Sequence, residues 1–111
     1  MSFIKIEAIL RPFNIQPLIE ELKDKEKVFY LEECKGFGKR ISPLSLYKNS
    51  SQSTLESLPR TKISIFVKEE HVEQLIELII SAGQTGIVGD GKIFITPVES
   101  ILDIESREFY E

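Results

Sequence analysis

"KIEAIL" at residues 5–10 and "KISIFV" at residues 62–67 stand 57 positions apart, and the same offset carries "LIEEL" (18–22) onto "LIELI" (75–79). Two segments that share one offset are harder to obtain by chance than either match alone, so the chain reads as two copies of one strand–helix unit. In the first copy Lys5 and Glu7 alternate with Ile4, Ile6 and Ala8, the period-two pattern of a strand with one buried face. Ile15, Leu18, Ile19 and Leu22 follow at the spacing of an amphipathic helix. Asn14 is its expected N-cap, and Pro17 is tolerated in the first turn. In the second copy Val72, Leu75, Ile76, Ile79 and Ile80 make the stripe, and Glu69 and Glu70 suit the positive N-terminal end. Gly83 is the expected C′ cap of that helix.

Each unit leads into another apolar run, "KVFYLEEC" (27–34) and "KIFITPV" (92–98). The order is βαβ followed by βαβ, with "SILDI" (100–104) as a further edge-strand candidate. This predicts an α+β, ferredoxin-like fold: a four-stranded antiparallel sheet with both helices on one face. The other face stays bare. Because Ile, Phe and Val occur on both sides of the strands, that face is expected to pack on further copies of the chain.

Composition sets the remaining bounds. The 111 residues predict a single domain, 1–111, and a core of modest size. A net charge of −4 argues against a nucleic-acid binder that relies on phosphate attraction. No apolar run approaches the ~20 residues of a membrane helix, and Lys5 and Glu7 interrupt any signal-peptide core. The one cysteine, Cys34, has no partner for an internal disulfide, which fits a reducing cytoplasm. Its alternation with apolar neighbours places it in the core rather than as a nucleophile. His71, the only histidine, reads as an exposed helix residue, because no second histidine or cysteine stands at ligand spacing. No nucleophile–base pair or carboxylate dyad suggests catalysis.

Two stretches break the pattern. "GFGKRISPLSLYKNSSQSTLESLP" (36–59) is long, polar and without an apolar period, as functional or disordered loops are. "GQTGIVGDGKIFITPV" (83–98) packs four glycines into nine residues. Glycine is costly to order, and the usual return is a positive φ or a backbone that approaches a ligand closely. On the motif alone, Gly-Asp-Gly is a turn.

Taken together, "KIEAILRPF" (5–13), "KGFGKR" (35–40), "LPRTKISIFV" (58–67) and "AGQTGIVGDGKIF" (82–94) resemble the PII signal-transduction proteins in order and spacing over nearly the whole chain. The resemblance implies a non-enzymatic cytoplasmic homotrimer that binds adenine nucleotides between subunits. It also implies a mobile T-loop, here about 37–57, through which the trimer regulates enzymes or transporters, and a B-loop at about 83–92. The segment matching Gly89, Asp90, Gly91 and Lys92 would supply backbone amides and an ammonium to phosphates. Amides unobstructed by side chains form an anion nest, and lysine adds a point charge. Lys39, Arg40 and Arg60 complete the expected ligand-binding set, with no catalytic and no metal-ligating residue.

Several positions depart from the family pattern. Two arginines that reach the phosphates from a neighbouring subunit correspond here to Asp103 and Glu105. A glutamine that helps bind Mg²⁺ and 2-oxoglutarate corresponds to Arg40, and a B-loop lysine to Ile87. A threonine and a glutamate near the adenine correspond to Tyr30 and Ser64. Lysines after the T-loop correspond to Arg60 and Lys62. The tyrosine modified in some bacterial members has no counterpart, and Ser50 and Ser51 stand near a site phosphorylated in others. The expectation is therefore a divergent PII-like protein whose effector carries less charge than ATP, such as AMP, ADP or a cyclic nucleotide. Two alternatives stay open: a divalent-cation-binding trimer of the same fold, and a ligand-free interaction scaffold.

Overall fold

The computed structural model describes residues 2–25, 27–39, 55–86 and 91–110. Strands β1 (Phe3–Leu10), β2 (Phe29–Lys39), β3 (Leu55–Lys68) and β4 (Gly91–Val98) form one antiparallel sheet in the order β2-β3-β1-β4. Helices α1 (Ile15–Asp24) and α2 (Val72–Gly83) complete the double βαβ order.

The repeat is visible in the geometry. Each helix is entered through a 3₁₀ turn, Pro12–Asn14 and Glu69–His71, and each turn follows an extended residue, Arg11 and Lys68. These boundaries keep the 57-residue offset. The repeat counterparts Glu7 and Ser64 lie directly opposite each other where β1 pairs with β3. A two-fold axis between two antiparallel strands requires just such a pair at its centre.

Ile6, Ala8 and Leu10 of β1, Ile63, Ile65 and Val67 of β3, Leu18 and Leu22 of α1, and Leu75 and Ile79 of α2 are all buried. The core thus lies between one sheet face and both helices, as the alternation and the helical stripes require. Each fully buried Leu or Ile contributes about 1.5–3 kcal/mol relative to exposure. The opposite face carries Tyr30, Phe66 and Phe94, all substantially exposed, and the Lys5–Glu7 ion pair at 3.1 Å.

Local details differ from expectation. Asn14 sits at the head of α1 in helical conformation and makes no side-chain cap; the 3₁₀ turn already supplies the helical path, and Asn14 Nδ2 is buried without a partner. Gly83 is the last residue of α2 rather than a left-handed cap, and Gln84 follows with φ −78°. Its glycine identity has a packing reason: a Cβ there would stand 2.7 Å from Leu10 Cδ2. Cys34 is half-buried outside the core, because β2 alternation puts it on the open face opposite Arg60. His71 is partly exposed beside Glu70, as expected.

Strands β2 and β3 run further than their apolar patterns, pairing out to Lys39 opposite Leu55. Residues 37–39 and 55–57 of the expected T-loop are therefore strand, and 40–54 lie outside the described residues. Residues 100–104 do not add an edge strand. They enter a tight C-terminal hairpin instead, closed by the Leu102–Phe109 bridge and the Tyr110 N–H donating to the Ile101 carbonyl at 2.8 Å. Tyr110 packs edge-on against Phe3, centroids 6.1 Å apart.

Candidate functional site

The expected ligand residues are best located by the end of the sheet where β1 stops, β4 begins and the β2–β3 ribbon departs. Directly paired residues share a face of a sheet. The register puts Glu32, Lys62, Ile9 and Lys92 in one cross-strand row on the open face. Lys62 and Lys92 flank Ile9, their Cα atoms about two strand spacings, or ~10 Å, apart. Arg60 stands one row outward on the same face, opposite Cys34, and its Nη1 donates to the Pro59 carbonyl at 2.8 Å. The next row inward holds Tyr30, Ser64, Glu7 and Phe94. The Tyr30 ring meets Phe66 edge-on with centroids 6.3 Å apart. The sheet end therefore offers three cations beside a set of aromatic rings, while Glu7 is occupied by Lys5.

The glycine stretch returns the chain to this end. Gly86 has φ +82° with open space around it, so its role is a turn. Gly91 has φ +139°, and a Cβ there would strike the Ile9 carbonyl oxygen. Its glycine identity is thus demanded by the approach of β4 to β1, whatever binds nearby. Both Gly83 and Gly91 stand against the Leu10 side chain, so one leucine holds the two feet of the segment between them. A groove of about 390 Å³ opens beside them, lined by apolar Leu10, Ile79, Ile80 and Ile93 along with Gln84 and Lys92.

Of the expected ligand residues, the fold brings together Arg60, Gly91 and Lys92, and adds Lys62. Lys39 does not join them: it ends β2 five residues beyond Cys34, or ~17 Å along the ribbon from the Arg60 row. Arg40, Gly89 and Asp90 lie outside the described residues.

Asp103 and Glu105 are placed by the C-terminal hairpin, beyond the far end of β4 and six residues or ~20 Å along the strand from Lys92. Asp103 Oδ1 accepts the Glu105 N–H at 3.1 Å, an Asx turn that helps fold the hairpin. Arg107 follows in the left-handed region at φ +62°, its N–H donating to the Asp103 carbonyl at 2.9 Å. An arginine at 103 has no oxygen with which to make that turn.

One contact was not foreseen from the sequence. Arg11, only 9% exposed, reaches from the end of β1 to Thr85, with Nη1 3.4 Å from Oγ1. The sequence signal was slight: Pro12 restricts the residue before it to extended backbone, which says where Arg11 leaves the strand but not what it meets.

Fold and site define a ferredoxin-like domain with a cationic sheet end flanked by glycines. The family model of the nitrogen regulatory protein P-II matches residues 3–108. Over 105 residues, 94% of this chain and 93% of each relative, the sequence is 39% identical to a nitrogen regulatory protein P-II of Azospirillum brasilense and 38% identical to that of Synechocystis. The fold is similar to the crystal structure of Arabidopsis thaliana PII bound to citrate, with a TM-score of 0.76 at 30% identity over 99% of this chain and 90% of that one. The chain belongs to the P-II family of nitrogen regulatory proteins. It is accordingly a signalling protein and not an enzyme.

Proposed function

We propose that the protein acts as a cytoplasmic homotrimer that holds an adenine nucleotide in clefts between protomers and reports its presence through residues 37–57 to a partner enzyme or transporter. One observation carries the proposal. Arg60, Lys62 and Lys92 gather on the open face at the end where Gly91 returns the chain and the β2–β3 ribbon leaves. An anion ~5 Å from one of these cations gains roughly 3 kcal/mol at an effective dielectric near 20, before salt screening. Further phosphate contacts fall in this reading to Arg40, Gly89 and Asp90, which lie outside the described residues, while Lys39 stands away from this sheet end within one chain. The exposed Tyr30, Phe66 and Phe94 on the same face supply the surface that a second copy covers.

In this reading the effector is AMP, ADP or a cyclic nucleotide rather than ATP, because Asp103 and Glu105 of a neighbouring protomer bring two negative charges where the family pattern has two positive ones. Signalling requires the effector to bind two states of the 37–57 segment with different affinity. Neither nucleic acid nor direct membrane insertion has a part in this reading. Among the described residues no helix is long and apolar enough to cross a membrane, and no group of three or more His, Cys, Asp or Glu is placed to hold a metal. The match to the P-II family over residues 3–108 disfavours the divalent-cation alternative.

Calorimetry with AMP, ADP, ATP, cyclic AMP and citrate tests the proposal. ADP or AMP is expected to bind in the micromolar range, about three sites per trimer. ATP as the tightest ligand refutes the charge argument, and no binding by any nucleotide refutes the effector class.

A further inference from the structure

We infer that Arg11 is a positioning residue: it holds the Thr85–Gly86 limb against the end of β1, and so sets where Gly91 and Lys92 present themselves to an anion. The inference deepens the nucleotide reading and rests on it for its functional consequence. Its structural part stands on contacts within one chain.

Three consecutive residues grip both feet of the segment between α2 and β4. The Ile9 carbonyl lies so close to Gly91 that no side chain fits there. Leu10 Cδ2 packs against Gly83 on one side and Gly91 on the other. Arg11 adds a polar tie, Nη1 to Thr85 Oγ1 at 3.4 Å, across 74 residues of sequence. Apolar contacts alone leave the limb free to slide; a directional hydrogen bond to the Thr85 hydroxyl sets its position along the strand.

Burial makes the arrangement purposeful. Arg11 is 9% exposed, and among the described residues the other buried polar side chains are the small hydroxyls of Thr61 and Ser64. A guanidinium withdrawn from water carries a desolvation cost that only bonds to fixed partners offset. Arg11 can be aimed in this way because Pro12 holds its backbone extended, φ −64° and ψ 139°, continuing β1 instead of turning away. The planar fork can bond more than one acceptor at once, which an ammonium at the same place does less well.

The test uses Arg11→Lys, Arg11→Gln, Thr85→Val and the double variant Arg11→Gln/Thr85→Val in the full chain. Two readouts are needed: amide hydrogen exchange of the unliganded protein, and calorimetric affinity for ADP. In Arg11→Gln we expect exchange of the amides of residues 84–86, 91 and 92 to rise at least tenfold, with the β1–β3 core unchanged and ADP bound at least tenfold more weakly. Arg11→Lys should recover part of both effects. The double variant should be no worse than Arg11→Gln, since each change breaks the same tie. Unchanged exchange at residues 84–86, 91 and 92, or exchange raised equally through the core, overturns the inference. So does additive loss in the double variant. Failure of wild-type protein to bind ADP removes the nucleotide reading instead, while the exchange measurement still decides whether Arg11 holds this limb.

Discussion

Replacing Gly91 by alanine separates a fold requirement from a ligand requirement. The structure puts φ at +139°, which L side chains rarely adopt, and the added Cβ would meet the Ile9 carbonyl oxygen. Backbone strain of this kind costs about 1–3 kcal/mol. The clash adds to it, because the obstacle is backbone of β1, a strand paired on both sides, and cannot rotate aside. We expect a loss of about 3–4 kcal/mol, or a melting temperature lower by roughly 12–16 °C at ~4 °C per kcal/mol. The other glycines provide controls. Gly86→Ala meets nothing within 4 Å and bears only the positive φ, φ +82°, worth about 1–2 kcal/mol. Gly83→Ala gains helix propensity but presses on a leucine methyl that can shift, a net cost of about 1 kcal/mol. Gly36→Ala finds Arg60 Cγ at 3.5 Å, an ordinary contact, and should change stability by less than ~0.5 kcal/mol. Urea titration and thermal melting at fixed protomer concentration, without ligand, measure the series. Gly91→Ala no more costly than Gly86→Ala would refute the reasoning, since it would mean that β4 can leave β1 freely at this end.

Three further outcomes are expected. Lys92→Gln and Arg60→Gln should each weaken ADP binding about tenfold at low salt, less at high salt, with an unchanged circular dichroism spectrum; an unchanged dissociation constant in both places the anion elsewhere. Asp103→Asn keeps a side-chain oxygen for the Glu105 amide while removing a charge, so ATP affinity should rise several-fold in calorimetry with the melting temperature held, whereas Asp103→Ala should also lose about 1 kcal/mol of stability from the broken turn. Phe94→Lys puts a charge on an exposed apolar face and should shift the sedimentation coefficient from that of the proposed trimer to that of a monomer; a trimer that persists at micromolar concentration shows that copies pack elsewhere.

Sequence by itself determined the architecture. The 57-residue repeat, the period-two strands and the helical stripes each report on local geometry, and burial of Ile6, Leu18, Ile63 and Ile79 follows once two amphipathic helices meet one face of a sheet. Family membership was legible too, because the glycine-rich stretches and "RPF" occur in fixed order. Part of the cationic sheet end was also within reach: Lys62 and Lys92 alternate with core residues, so their sharing the open face follows from pleating alone.

Tertiary structure decided what depends on approach between distant segments. Gly83 looked like a helix cap, but it answers to Leu10 of β1, and Gly91 carries a packing requirement of its own, the nearness of the Ile9 carbonyl, that the sequence did not reveal. Asn14 carried a good capping side chain, yet a 3₁₀ turn had already met the need. "SILDI" had a strand's composition, but the Asp103 turn and the Leu102–Phe109 bridge fold it back on itself instead of along the sheet. The Arg11–Thr85 tie spans 74 residues. Periodicity describes which way a side chain points from its own element; it carries no information on what stands opposite, and that is set only when the elements pack.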